Sequence, residues 1–266
     1  MLVLASDTTG KSLSVALLRD GRLVGETRLD LGYNHAVTHM PQVMNLLQSC
    51  ETDIQAIDLF ACTNGPGSFT GTRIGISSCK AMAYAAQKPA IGVSTLETLA
   101  WPWRNWPQAI ICPLLDARNG RVYAAAYMAD AKAGQPSGLP EPTGLSDSSG
   151  LTPLVAPGNY LASDFLSDLA IRLHDLALAQ QGHPADSANI LLVGDGAEAT
   201  LQASASLADP LPALLVRLDR IHDAPSAAVV ALLAAQLYAA GANHDPFALA
   251  AEYLTPSSAE RKKAKP

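Results

Sequence analysis

The sequence predicts an α/β fold built from two lobes of related design. Each lobe is a mixed sheet that opens on an antiparallel hairpin and continues through strand–helix crossovers. Three observations predict it. Short apolar runs joined by tight turns stand first in each half: Leu2–Ser6, Ser12–Leu18 and Arg22–Leu29, and later Ala109–Leu115 and Arg121–Met128. Asp20-Gly21 and Asn119-Gly120 fall between neighbouring runs, and such dipeptides favour hairpin turns because they tolerate positive φ. After each hairpin, apolar runs alternate with stretches of helical periodicity.

In the first half, Asn34 precedes a helix in which Val37, Met40, Met44 and Leu47 recur at i, i+3, i+7 and i+10, the expected apolar face. A buried strand, Ile57–Thr63, runs into the turn Gly65-Pro66-Gly67 and a helix, Thr70–Gln87. A strand-to-helix turn of this kind aims backbone N–H groups and the positive end of a helix at one spot. It suits a phosphate, and it suits a tight structural connection equally well. Asp7, Thr8 and Thr9 lie in the turn between the first two strands. A carboxylate and hydroxyls there suit a phosphate or its magnesium, so Asp7, Thr8, Thr9, Gly65 and Gly67 form the candidate or vestigial nucleotide-facing set. Gly71, Gly75, Cys79 and Ala83 recur at every fourth residue of the helix, making a ridge of small side chains. Such a ridge admits a close backbone, either the chain's own sheet or a partner's helix. A strand, Pro89–Val93, and a helix capped by Ser94, with Glu97 in capping-box spacing, complete this half.

All three tryptophans fall between Trp101 and Trp106, where a joint between lobes is expected. The expected division is 1–106 for the first lobe, completed by a C-terminal helix within about 224–255, and 107–223 for the second. Residues 131–150, rich in Gly, Pro and Ser, read as a mobile insertion, and 256–266 as a flexible tail. A helix at Asp164–Gln180, strands at Ile190–Val193 and Leu214–Leu218, and an alanine-rich helix at Ala224–Ala240 follow; the last is apolar all round and so expected to be buried. Asp116 and Arg118 flank the second hairpin turn. They suit a local ion pair, a place in the cleft between lobes, or a surface facing a partner.

With 48% hydrophobic and 16% charged residues over 266 positions, the chain has material for a large core. Its net charge of −6 argues against gripping nucleic acid alone, since phosphate neutralisation dominates that affinity. The four cysteines lack C-x-x-C spacing and read as small buried hydrophobes in a reducing compartment. There is no charged leader and no long apolar stretch, so a cytoplasmic location without a membrane is expected. No G-x-S-x-G elbow supports a serine hydrolase. His35 and His39 have H-x-x-x-H spacing but lack the glutamate of H-E-x-x-H, so a helix-end histidine and a surface histidine, with no metal, are expected.

The order of elements resembles the half-unit of the actin, sugar-kinase and Hsp70 nucleotide-binding folds. The motifs are more specific. Leu4-Ala-Ser-Asp-Thr-Thr9, His35, the eleven residues Gly65–Gly75, Gly92-Val-Ser-Thr-Leu-Glu97, Asp116-Ala-Arg118, Val122-Tyr123, Gly194-Asp-Gly196 and Tyr253-Leu254 together resemble the TsaB (YeaZ) family. That family supplies the dimerisation subunit of the bacterial tRNA threonylcarbamoyladenosine complex. The resemblance implies an actin-like, two-lobed fold and a non-catalytic subunit. It implies pairing with a TsaD-like catalytic paralogue and a TsaE-like ATPase, with tRNA met through the complex. The modified atom is N6 of the adenosine beside the anticodon. ATP is expected within the complex and no cofactor on the chain by itself. The catalytic paralogue holds a metal through two histidines; Thr95 and Leu99 stand at those positions here, so no catalytic residues are expected. The family's Pro-x-Tyr-Leu-Arg ending is replaced by Ala251-Glu-Tyr-Leu-Thr255. The expected docking surface is His35, Met40 and Met44 with the ridge Gly71, Gly75, Cys79 and Ala83, which implies a homodimer in isolation. On this expectation Gly75→Leu blocks docking and spares the fold. The alternatives are a stand-alone actin-like ATPase or small-molecule kinase, and a protease of the glycoprotease type.

Overall fold

The computed structural model describes residues 1–30, 32, 34–106, 109–129, 150–179, 189–205, 207 and 214–254. The first sheet comprises β1 (Leu2–Asp7), β2 (Ser12–Arg19), β3 (Arg22–Asp30), β4 (Leu59–Gly65) and β5 (Ala90–Ser94), in the order β3-β2-β1-β4-β5. The second comprises β6 (Ile110–Arg118), β7 (Arg121–Ala129), β8 (Leu151–Leu161), β9 (Asn189–Val193) and β10 (Leu214–Arg217), in the order β10-β9-β6-β7-β8. Counted from its own first strand, each sheet has the same order. Each combines an antiparallel hairpin with parallel crossover strands. This is the two-lobed, actin-like α/β architecture expected from the sequence.

Helices α1 (His35–Ser49) and α2 (Phe69–Ala86) cover one face of the first sheet, while α4 (Ala162–Ala179) and α5 (Ala197–Ser204) cover one face of the second. The remaining faces are covered by exchange. The last helix, α6 (Ala227–Ala239), packs Val230, Leu233 and Ala234 on the first sheet. The short α3 (Thr95–Ala100), from the first half, packs Leu96 and Leu99 on the second. Coverage of both faces explains why β1 and β2 read as continuous apolar runs without alternation. The hairpin also caps α6: Ser14 Oγ accepts from Ala227 N at 3.0 Å, and Glu26 Oε1 from Ala228 N at 3.3 Å. The carboxylate at a helix N-terminus is favoured by the dipole.

The tryptophans lie where the halves meet. Trp101 joins the core beneath α6, and Trp103 packs against the second-sheet cluster and, edge-on, against His222. Strand β8 has no counterpart in the sequence reading. Pro153 and Pro157 obscure it, and both are tolerated because β8 is an edge strand bonded to β7 alone. Residues 131–149 of the expected insertion and the 256–266 tail lie outside the described residues.

Two expectations are corrected. First, α1 buries both His35 and His39, with Val43, Leu46 and Leu47, so neither histidine lies at the surface expected of it, while Val37, Met40 and Met44 are 73%, 39% and 54% exposed. Two histidines on the inner face hid the true core stripe. Second, the ridge of α2 does not face outward. Cys79 and Ala83 are in the first-sheet core, a Cβ on Gly71 would run into the Thr8 carbonyl oxygen, and one on Gly75 would lie 2.5 Å from Thr8 Oγ1. The small residues admit the chain's own β1–β2 turn. Gly71, Gly75, Cys79, Ala83 and the buried His35 are therefore not available for docking.

Candidate functional site

Turns from the two halves border a cleft whose walls are the β1–β2 turn, the glycine turn before α2, and the end of β6. Thr9, Gly67, Ser68, Asp116, Arg118 and Asp195 border it. Asp116 and Arg118 thus belong to the cleft. Among the described residues no salt bridge joins them; Arg118 N donates to Asp116 Oδ1 at 2.7 Å, and Asp116 N to Asp195 Oδ1 at 2.8 Å. Arg118, Asn119 and Gly120 take positive φ in the turn. Desolvation raises the Asp195 carboxyl above its usual range, and the Asp116 charge adds to the rise. Asp195 was not singled out from the sequence, although the Gly194-Asp-Gly196 turn that presents it was visible.

The expected nucleotide-facing residues are mostly turned inward. Asp7 and Thr8 are fully buried. Asp7 Oδ1 accepts from Thr9 Oγ1 and Thr63 Oγ1, each at 2.6 Å, and from Thr9 N at 3.2 Å. Burial raises the Asp7 carboxyl despite those hydrogen bonds, and Asp7 Oδ2 is buried without a partner. Thr8 Oγ1 donates to Gly71 O at 2.8 Å. Gly65, at φ 121°, turns toward the chain's own end, since a Cβ there would strike the Glu252 carbonyl. Gly67 faces Thr9, whose carbonyl accepts from Ser68 N at 2.7 Å, and Ser68 Oγ takes the Gly71 amide at 3.2 Å. Of the donors a phosphate would need, Ser68 N and Gly71 N are taken up inside the protein, and two carboxylates, Asp116 and Asp195, border the same cleft.

Thr95 is buried with its hydroxyl unpartnered, and Leu99 packs in the second-sheet core. His35 Nε2 lies 2.8 Å from Gly10 O. His39 is buried with neither ring nitrogen hydrogen-bonded, and desolvation lowers its pKa to about 4. Neither histidine joins a cluster of three metal-ligating residues among the described residues.

A second surface is apolar. Val37, Met40 and Met44 continue, through Ala36, to Phe69 and Ile74 at the start of α2. Tyr253 stacks on Phe69 with centroids 5.3 Å apart, and Arg73 lies 3.8 Å over Phe69 while its Nε donates to Tyr253 OH at 2.9 Å. This pins the segment around Tyr253 beside the patch. Met40 and Met44 are where the sequence put them, at a surface. Val37, Phe69 and Ile74 were missed as members, although Val37 shares their helical stripe. No described helix is long and apolar enough to cross a membrane.

The family model described as "TsaD: tRNA N6-adenosine threonylcarbamoyltransferase" matches residues 31–263. The TsaB protein of Bacillus subtilis (strain 168), described as a tRNA threonylcarbamoyladenosine biosynthesis protein, is 40% identical over 127 residues, covering 48% of this chain and 55% of that one. The protein so described in Escherichia coli (strain K12) is 40% identical over 131 residues, 49% and 56% of the two chains. The chain spans about half the length of the curated relatives it matches. The solved structure of YeaZ from Pseudomonas aeruginosa superimposes with a TM-score of 0.69 at 25% identity, covering 95% of this chain and 99% of that one.

Proposed function

Because the chain belongs to the family described as tRNA N6-adenosine threonylcarbamoyltransferase, and within it to the TsaB/YeaZ proteins, we propose that it is a partner subunit in tRNA threonylcarbamoyladenosine biosynthesis. In this reading it performs no chemistry itself. It docks on a TsaD-like catalytic paralogue, works alongside a TsaE-like ATPase in the cytoplasm, and meets tRNA through the assembly.

The observation that carries this reading is the exposed row Val37, Met40 and Met44 beside Phe69 and Ile74. Apolar side chains gathered on one helix face, next to a second helix, are the chemistry of an interface that excludes water. The same face is the one expected to self-associate when the partner is missing. Leu99 in the core and Thr95 in place of an imidazole support a non-catalytic role, and the self-occupied glycine turn supports a chain that takes no nucleotide alone.

The test is a charge placed on the exposed row. Val37→Glu with Met44→Glu should keep the wild-type circular dichroism and lower capture of the TsaD-like paralogue by about tenfold or more. Undiminished capture by the folded double variant would place the docking surface elsewhere.

A further inference from the structure

The two helices that carry the apolar face hold no carboxylate. Neither α1 nor α2 contains an Asp or a Glu, in a chain whose net charge is −6. Apart from the buried histidines of α1, their cations are Arg73 and Lys80. Lys80 Nζ donates to Phe247 O at 3.3 Å. Arg73 is exposed and borders the apolar pocket together with Phe69 and Ile74, the single charged residue to do so among the described residues.

The Arg73 guanidinium is held in place before anything docks. Its Cζ lies 3.8 Å from the Phe69 ring centroid, and its Nε donates to Tyr253 OH at 2.9 Å. Tyr253 in turn stacks on Phe69. A stacked, hydrogen-bonded guanidinium loses little further freedom on binding. Its two terminal nitrogens have no hydrogen-bond partner, and Arg73 enters no salt bridge, among the described residues. A partner that seats on Phe69 and Ile74 also strips water from those N–H groups. Arginine stays charged at neutral pH, so an apolar partner surface would leave that desolvation unrelieved. A carboxylate relieves it, taking two parallel N–H bonds from one fork.

We propose that Arg73 is the polar anchor of the docking face and donates to a carboxylate, an Asp or Glu side chain, of the TsaD-like partner. This rests on the reading of the α1–α2 face as the docking surface, and it names the chemistry the partner must bring there. Tyr253 acts as a positioning residue, holding Nε so that the terminal nitrogens are left for the partner. A tRNA phosphate is the competing acceptor. A single cation set among apolar side chains favours the carboxylate, since grip on a polynucleotide takes several cations.

The dissociation constant for the TsaD-like partner, measured with the full chain at rising NaCl, tests the proposal. Wild-type binding should weaken as salt rises. Arg73→Ala should bind about tenfold or more weakly at low salt and flatten that dependence. Arg73→Lys keeps the charge and loses the fork, so it should keep the salt dependence and recover part of the affinity. Tyr253→Phe should weaken binding less than Arg73→Ala does. Arg22→Ala, at an exposed cation on β3, is the control and should bind as wild type. Circular dichroism checks each fold. A folded Arg73→Ala protein with wild-type affinity, or with weaker binding but unchanged salt dependence, would overturn the carboxylate contact and leave the docking face standing. Normal protein binding with weaker retention of tRNA by the assembled complex would assign Arg73 to a phosphate and overturn it too. Undiminished capture by Val37→Glu/Met44→Glu would instead remove the docking face, and the anchor with it.

Discussion

Asp7 shows how one side chain fixes a turn. Its Oδ1 gathers two hydroxyls and an amide, joining β1, β4 and the β1–β2 turn. Asp7→Ala would strand the Thr9 and Thr63 hydroxyls in the core and should cost about 3 kcal/mol in chemical denaturation. Asp7→Asn keeps the acceptor and removes a charge that burial disfavours, so it should cost less than Asp7→Ala at pH 7. His39 makes a separate pH prediction. Its folded pKa is about 4 against 6.5, so the unfolded chain takes up a proton first as pH falls. The stability conferred by the neutral ring is present above pH 6.5 and is lost between 6.5 and 4, by about 3 kcal/mol in all. His39→Leu should flatten the thermal midpoint over that range; an unchanged acid slope would mean His39 is not the sensor. None of this was legible from sequence. Asp7 sits in a turn whose spacing suits a ligand, and only the packing of Thr9 and Thr63 around it reveals an internal role.

At the scale of elements, α1 and α2 divide the work of core and surface in a way the sequence half conceals. The helices themselves were legible: Ser94 and the glycine turn announce their starts, and α2 and α3 begin within a residue of expectation. Their faces were not. The exposed row of α1 is more apolar than the buried one, because His35 and His39 occupy inner positions. The period-four glycines of α2 are required by Thr8, a residue far away in sequence. Gly75→Leu is therefore expected to destabilise the monomer, by about 3 kcal/mol or more from overpacking against the β1–β2 turn, rather than to spare it. Met44→Glu should do the opposite. Its thermal stability should stay within about 0.5 kcal/mol of wild type, while sedimentation shows the self-associated form dissociating. A folded but still dimeric Met44→Glu protein would separate the exposed row from self-association.

At the scale of the whole molecule, the two sheets repeat one strand order, and each lends a helix to the other: α6 returns to the first, and α3 reaches the second. Hairpin-first halves and the all-apolar α6 made most of this visible in the sequence. The exception, β8, is an edge strand whose two prolines break the pattern that marks a strand. The candidate site was less legible, since a cleft and a docking face depend on which side each element presents. In the cleft's turns Ser68 N and Gly71 N are bonded within the protein, and the apolar patch on α1 and α2 meets the cleft at Phe69, which borders both. The most direct measurement is reconstitution: threonylcarbamoyladenosine formed on tRNA by the TsaD-like and TsaE-like proteins, with wild-type chain, with Val37→Glu/Met44→Glu, with this chain alone, and without it. Formation that needs the wild-type chain, and fails both with the double variant and with this chain alone, is expected. Full formation in its absence, or formation by this chain alone, would contradict the role of a docking subunit.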